Sequence, residues 1–286
     1  MKQLLKNAQY FLSNRHVRNA YAKWIIAKLC TGKPPLFDVG NGALVGGWIN
    51  FSEYLSYSTS SGIAENEKVF ALACLTRAGQ SPIAFDLGAN IGVFTCFLAS
   101  VDNVSVHSFE PVIDTFCRLK RNVFDNHFTS KCALNCLAVG VGFDLVTFRL
   151  FGNAPGLNRL FIKRNSGDNP DPSCSQGVVT VALDAYCNKL GIERIDFLKV
   201  DVEGMEPAVL EGAKALMSKK AIGAILMEVC PANLHAIGFD RVLLYNRIRD
   251  LGYRSFSLTT SGEIGSEMSF EALKEADSIN VIVLPE

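Results

Sequence analysis

Apolar and polar positions change their period several times along this chain, and each change marks an element. Over residues 2–30, Leu4, Ala8, Phe11 and Leu12, then Val17, Tyr21, Trp24 and Ile25, recur at helical spacing, and Pro34-Pro35 ends the run. Residues 36–60 are rich in Gly, Ser and Tyr with little periodicity, including Gly46-Gly47-Trp48-Ile49-Asn50, Tyr54 and Tyr57, and read as a cover or a connector. Helical spacing resumes over Gly62–Ala78, with Glu65 and Glu67 early in it. From Ile83 short apolar runs alternate with helical stretches: strand 83–87, helix 92–100, strand 104–109, helix 111–127 and strand 133–139. Phe143–Phe151 alternates as a further strand, with Val146, Phe148 and Leu150 against polar neighbours. Gly152–Gly177 carries Asn153-Ala154-Pro155-Gly156 and Asp168-Asn169-Pro170-Asp171-Pro172, too much turn chemistry for regular structure, and is expected to be a mobile loop.

Beyond it come strand 178–182, helix Asp184–Leu190 with Asp184 as its expected N-cap, and an apolar strand within Ile195–Gly204. Helix Glu206–Met217, strand Ala221–Val229, a helix over 231–250 and two closing strands, Arg254–Thr259 and Ser278–Leu284, complete the chain. Regular strand–helix alternation predicts an α/β domain with a parallel sheet and right-handed crossovers. The division expected is a helical arm and irregular segment over 1–60 and one domain over 61–286.

Composition narrows the class. The chain has 286 residues, of which 49% are hydrophobic, ample for a packed core. Net charge is zero but uneven: Lys2, Lys6, Arg15, Arg18, Lys23, Lys28 and Lys33 precede the first acid, Asp38, so the remainder is acidic and a nucleic-acid partner is not expected. A basic amphipathic arm is compatible with an acidic membrane surface, although packing on the domain or on a partner subunit of a homo-oligomer is the plainer reading. Nine cysteines form no Cys-x-x-Cys pair, and residues such as Cys74, Cys96 and Cys117 are expected on apolar helix faces, as reduced core residues of a cytoplasmic protein. No run reaches transmembrane length, and the N-terminus lacks the apolar core of a signal peptide.

Candidate chemistry gathers at strand ends. Ile83-Ala84-Phe85-Asp86-Leu87-Gly88-Ala89-Asn90-Ile91-Gly92 is a buried strand feeding a glycine turn and then a helix, which presents free N–H groups to a ligand. The next strand ends Phe109-Glu110-Pro111, where an acid accepts from both hydroxyls of a ribose. This is the pattern of a nucleoside-cofactor site. The dinucleotide fingerprint wants a glycine where Asn90 stands, and Asp86 repels phosphate but welcomes a cation, so S-adenosylmethionine fits better than NAD.

A second group lies in Ile195-Asp196-Phe197-Leu198-Lys199-Val200-Asp201-Val202-Glu203-Gly204. Residues two apart in a strand share a face, which puts Lys199, Asp201 and Glu203 together, and a lysine in a covered strand needs a partner. Ala224-Ile225-Leu226-Met227-Glu228 is another apolar strand ending in an acid. Asp86, Glu110, Asp201 and Glu228 all fall at carboxyl ends of strands, where open α/β sheets bind ligands. A plain structural ion pair remains the alternative for Lys199. His107 reads as a core histidine, His235 as a weaker candidate to reach a substrate, and Cys230 as inert.

These strings resemble the FkbM family of methyltransferases: Phe85–Gly92, Phe109-Glu110-Pro111, Lys199-Val200-Asp201-Val202-Glu203-Gly204, Leu210-Glu211-Gly212-Ala213 and Met227-Glu228-Val229. The glycine turn alone marks only the broad class I group; the Lys-Val-Asp-Val-Glu-Gly string is far more specific. The resemblance covers about residues 62–284 and implies a class I, Rossmann-like, seven-stranded mostly parallel sheet with a reversed C-terminal hairpin, here carrying an N-terminal helical arm. It implies that Asp86, Gly88, Asn90 and Gly92 border the methionine part of S-adenosylmethionine, that Glu110 holds the ribose and that Ala138 lies by the adenine. Ala89 and Pro111 complete the expected cofactor set. It also implies O-methylation of sugars, glycans or macrolide natural products, with the acceptor unspecified because the 152–177 segment varies.

Methyl transfer to a hydroxyl needs an aligned lone pair and a base. The expectation is that Asp201 or Glu203 accepts the proton, Glu228 orients the acceptor and Lys199 sets the charge. Nearby carboxylates suit a hard cation, but no metal-ligand string is present and no metal is assigned. The alternatives are an NAD-dependent oxidoreductase, a catalytically silent cofactor-binding protein, and a methyltransferase acting on nitrogen, protein or nucleic acid.

Overall fold

A computed structural model describes residues 15–31, 35–47, 64–151, 158–161, 171, 174–275 and 279–286. The first part of the expected arm helix, Trp48, Tyr54, Tyr57 and most of 152–173 lie outside the described residues. In chain order the first elements are α1 (Arg15–Thr31), the hairpin β1 (Phe37–Gly40) and β2 (Ala43–Val45), α2 (Glu65–Arg77), β3 (Ile83–Leu87), α3 (Val93–Ser100), β4 (Ser105–Phe109), α4 (Ile113–Asp125) and β5 (Cys132–Asn135). The hairpin went unread in the sequence. It is stitched to α4 by two asparagines one turn apart: Asn122 accepts from Gly46 N at 3.0 Å, and Asn126 accepts from Leu44 N at 2.7 Å. Ala20, Trp24, Val39, Ala43 and Val45 enter the same hydrophobic cluster as Phe70, Phe97 and Leu98. Cys117, expected on the apolar face of α4, is exposed, and all nine cysteines are free thiols.

The run expected as one strand over 133–139 divides. Its first half is β5 in the main sheet; its second, β6 (Ala138–Val139), pairs instead with β9 (Ser175–Val181) in a second sheet. That sheet also holds β7 (Asp144–Arg149) and β8 (Arg159–Leu160), in the order β6-β9-β7-β8. Part of the segment expected to be irregular is therefore ordered: Leu160 pairs with Phe148, and β9 begins three residues before the expected strand 178–182.

The remaining elements are α5 (Leu183–Leu190), β10 (Phe197–Val200), α6 (Glu206–Gly212), α7 (Lys214–Ser218), β11 (Ile225–Val229), α8 (Pro231–Ala236), α9 (Arg241–Asp250), β12 (Tyr253–Leu258), β13 (Ile264–Glu267), α10 (Phe270–Glu275) and β14 (Ile279–Pro285). Asp184 does not cap its own helix. Its carboxylate accepts from Ala215 N at 2.7 Å and Leu216 N at 3.0 Å, and so caps α7, which breaks the expected 206–217 helix in two.

The main sheet runs β13-β12-β14-β11-β10-β3-β4-β5, eight strands where seven were expected, with the short β13 added at one edge. β11, β10, β3, β4 and β5 are parallel, and β14 enters antiparallel between β11 and β12. One face carries Phe85, Leu87, Phe109, Leu198, Val200, Ile225 and Met227 under α5, α6 and α9. The other carries Ala84, Val106, Phe197 and Leu226 under α2 and α3. Among the described residues no helix is long and apolar enough to cross a membrane.

Candidate active site

The strand register decides which acids meet. Asp86 pairs with Ser108 on β4 and with Lys199 on β10, and Lys199 pairs with Leu226 on β11. Partners in register share a face, so Asp86, Ser108 and Lys199 form one row on the α2–α3 side, within an otherwise apolar layer. One pleat further along stand Asp201 and Glu228, and Glu228 pairs with Asn280 on β14. α2 crosses above and lowers Glu67 into this group, its carboxylate accepting from Asn280 Nδ2.

A cavity of about 350 Å³ opens at these strand ends. Asp86, Gly88, Ala89, Asn90, Glu110, Pro111 and Ala138 line it, as do Lys199, Asp201, Glu203 and Glu228. Eleven of the twelve sequence-chosen residues are thus brought together. Gly92 is not. A Cβ there would meet Leu119 Cδ1 at 2.5 Å, so this glycine seats α3 against α4 and does not line the cavity. His235 is exposed on α8 and does not reach the cavity, whereas His107, expected in the core, is half-buried and stacks on Phe85 with ring centroids 4.7 Å apart.

Gly88 is dictated by its own neighbours. Its φ is +81°, and a Cβ would stand 1.8 Å from the Asp201 carbonyl oxygen. The absence of a side chain is what allows the turn after β3 to touch the turn after β10, which joins the two halves of the site.

Glu110 is held by backbone. One carboxylate oxygen accepts from Asn90 N at 3.0 Å and the other from Val112 N at 2.9 Å. Each oxygen keeps a second lone pair, the arrangement needed to accept from a pair of vicinal hydroxyls. Burial pushes its carboxyl up to about 7, against the pull of those two amides. Burial likewise raises Asp86 to about 6, although Thr95 Oγ1 donates to it at 2.6 Å.

Lys199, 5% exposed, has its Nζ 3.8 Å from Asp201 Oδ2 and 6.0 Å from the centre of the Phe94 ring. Burial lowers its pKa, but Asp201, Glu67, Glu228 and Asp86 together outweigh burial and hold it above the usual lysine value. Glu67 itself is raised by burial. Glu203 is pushed furthest, to about 8, by burial and then by Asp201, Glu228 and Glu206, with Arg159 pulling the other way. Beneath it Glu206, 2% exposed, accepts from Gly204 N at 3.1 Å, and burial raises it to about 7.

Several lining residues were missed in the sequence: Glu67, Asn280, Phe94, Phe148, Asn158, Val202 and Met205. Phe148, Val202 and Met205 belong to a small apolar cluster shared with Ala138 and Val112, which walls the cavity on the side of the second sheet.

The "Methyltransferase FkbM domain" profile matches residues 86–255, more than half of the chain, from the acid at the end of β3 into β12. The chain belongs to the FkbM methyltransferase family. Methyltransferase sdnD of Sordaria araneosa is 30% identical over 192 residues, 56% of this chain and 73% of its own length. The 31-O-demethyl-FK506 methyltransferase FkbM of Streptomyces tacrolimicus is 26% identical over 174 residues, 51% of this chain and 66% of its own. Among solved structures, the O-methyltransferase from Bacillus cereus in complex with SAH aligns over 78% of this chain and 81% of its own, at 12% identity and a TM-score of 0.42.

Membership makes S-adenosylmethionine the cofactor, and the FkbM site has the chemistry to fit it. The ligand carries a sulfonium and an ammonium but no phosphate; the cavity offers Glu67, Asp86, Glu110, Asp201, Glu203 and Glu228 against one lysine. Carboxyls held above their ordinary range by burial are groups that a bound cation would help to ionise. Membership also sets aside the nicotinamide alternative.

Proposed function

We propose that this FkbM-family enzyme places a methyl group on a hydroxyl of a sugar, glycan or natural product, and that Glu203 takes the hydroxyl's proton. The observation that supports it most is Glu203 itself: a carboxyl in the cofactor cavity, held at about 8, beside an apolar wall. A base is most useful when its pKa is near the working pH, and an alcohol demands a stronger base than an ordinary carboxylate. Asp201 is the poorer choice, since its side chain is 35% exposed and ion-paired with Lys199. One relative's name specifies 31-O-demethyl-FK506, which supports oxygen as the acceptor atom.

When bound, S-adenosylmethionine supplies an electrophilic methyl carbon. In this proposal Glu110 holds the ribose hydroxyls, Asp86 and the Gly88–Asn90 turn face the amino-acid part, and Ala138 packs by the base. Glu228 orients the acceptor, and Lys199 balances the surrounding carboxylates. Phe148, Val202 and Met205 exclude water from the acceptor's far side. The hydroxyl proton passes to the Glu203 carboxylate as the oxygen lone pair forms the new C–O bond and the methyl's carbon–sulfur bond breaks, its electron pair staying on the sulfur of S-adenosylhomocysteine.

The test is a methyl-labelled donor offered with panels of sugars, phenols and polyketide alcohols, read by mass spectrometry. A methylated hydroxyl product is expected, reduced about a hundredfold or more in Glu203→Gln, while S-adenosylhomocysteine still binds by calorimetry. Turnover of Glu203→Gln at the native rate, or binding without product across all panels, overturns the assignment.

A further inference from the structure

Glu203 occupies an unusual backbone position, with φ at +52° and Gly204 following at +105°. A Cβ on Gly204 would stand 2.6 Å from the Asn233 carbonyl oxygen, so the turn after β10 is pressed against the first turn of α8. Asn233 reaches back from there. Its Nδ2 donates to Glu203 Oε2, and its Oδ1 accepts from Arg159 Nη1 at 3.2 Å. Arg159 belongs to β8 in the second sheet, and its guanidinium lies 5.4 Å from the centre of the Phe151 ring. An amide whose oxygen is held by a guanidinium must present its NH₂ group on the other side, here to the carboxylate.

We infer that Arg159 and Asn233 are positioning residues for Glu203: Asn233 fixes the direction of the carboxylate, and Arg159 fixes Asn233 while lending positive charge. The inference rests on Glu203 being the base. The ionisable groups facing Glu203 are Asp201, Glu228 and Glu206, which oppose its ionisation, and Arg159, which favours it. Among these Arg159 is the cation, and it is carried by a two-residue strand next to Asn158 of the cavity wall. The second sheet thereby gains a hold on the proton chemistry of the first. An acceptor seated against Asn158 would act on the base through its neighbour.

The experiment needs no acceptor. Glutamate labelled with carbon-13 at Cδ reports each carboxyl's ionisation by NMR as pH is varied, and Glu203→Gln identifies the Glu203 signal. Arg159→Met is expected to raise the Glu203 midpoint by about half to one pH unit, a three- to tenfold change in proton affinity. Asn233→Leu should raise it too, and Arg159→Lys should shift it less than Arg159→Met. Calorimetric binding of S-adenosylhomocysteine confirms that each variant is folded. A midpoint that stays elevated but does not move in Arg159→Met and Asn233→Leu overturns the relay and leaves the base intact. A wild-type midpoint in the ordinary carboxylate range overturns the base itself, and with it the relay.

Discussion

Replacing Lys199 by Met tests the electrostatics on which the site is built. Methionine is unbranched and only one atom shorter, and suits the Phe94 ring beside it, so the change removes charge with little change of shape. At 3.8 Å the pair with Asp201 is worth about 4 kcal/mol with an effective dielectric of 20. Because the Asp201 side chain is 35% exposed, solvent reduces that to about half. Glu67, Glu228 and Asp86 add to the loss, and release from burying an ammonium offsets part of it, leaving about 3 kcal/mol at pH 8. The pH dependence is more telling. Asp86 and Glu67 already have folded pKa values above their unfolded ones, and without Lys199 they rise further. Between the unfolded value, near 4, and the raised folded value, the native state binds protons that the unfolded chain has released, so stability falls as pH rises through that window. The deficit of Lys199→Met should therefore be smaller near pH 4.5 than above about pH 8, where it is complete. Urea unfolding followed by circular dichroism at the two pH values measures it. An equal deficit at both, or one under about 1 kcal/mol at pH 8, would refute the reasoning.

Gly88→Ala should cost several kcal/mol, because the new methyl meets a backbone oxygen, whereas Gly79→Ala, at φ +83° with open space around it, should cost only the left-handed strain of about 1–2 kcal/mol. Thermal melts of the two variants isolate the contact, and equal losses would count against it. Glu110→Gln turns one acceptor oxygen into an NH₂ group facing a backbone N–H, so S-adenosylhomocysteine affinity should fall by about ten- to a hundredfold in calorimetry. Unchanged affinity would remove Glu110 from the cofactor's ribose.

Where the sequence was legible, a short-range pattern carried the information. Asp86, Glu110, Asp201 and Glu228 each fall at the carboxyl end of a strand, three of them after apolar runs, and a strand that stops at an acid shows its functional end without any tertiary knowledge. The missed residues have no such mark. Glu67 stands among polar residues of a helix whose solvated face looks the same in sequence; register and crossing decide that it is 9% exposed. Asn280 interrupts an apolar strand, which is a signal, but its meaning depends on pairing with Glu228, 52 positions earlier, as the register of β11 and β14 shows. The 133–139 run reads as one strand because its apolar positions continue, while the chain changes sheets between Asn135 and Ala138. β8, at two residues, is too short to have a period at all.

The acids are tolerated because they do not all stay charged. Six carboxylates and one lysine around a cavity form a poor ion-pair network, and burial raises several of them toward neutrality. An apo enzyme with such a site is less stable above about pH 7 than its core alone would allow. A cationic cofactor reverses this, because each carboxyl that ionises on binding turns a burial cost into attraction. S-adenosylmethionine carries one more positive charge than its demethylated product. The site should therefore prefer donor to product increasingly as pH rises through the range in which Asp86 and Glu203 ionise, from about 6 to about 8. The acids that make the empty fold less stable are, on this argument, what releases the spent cofactor.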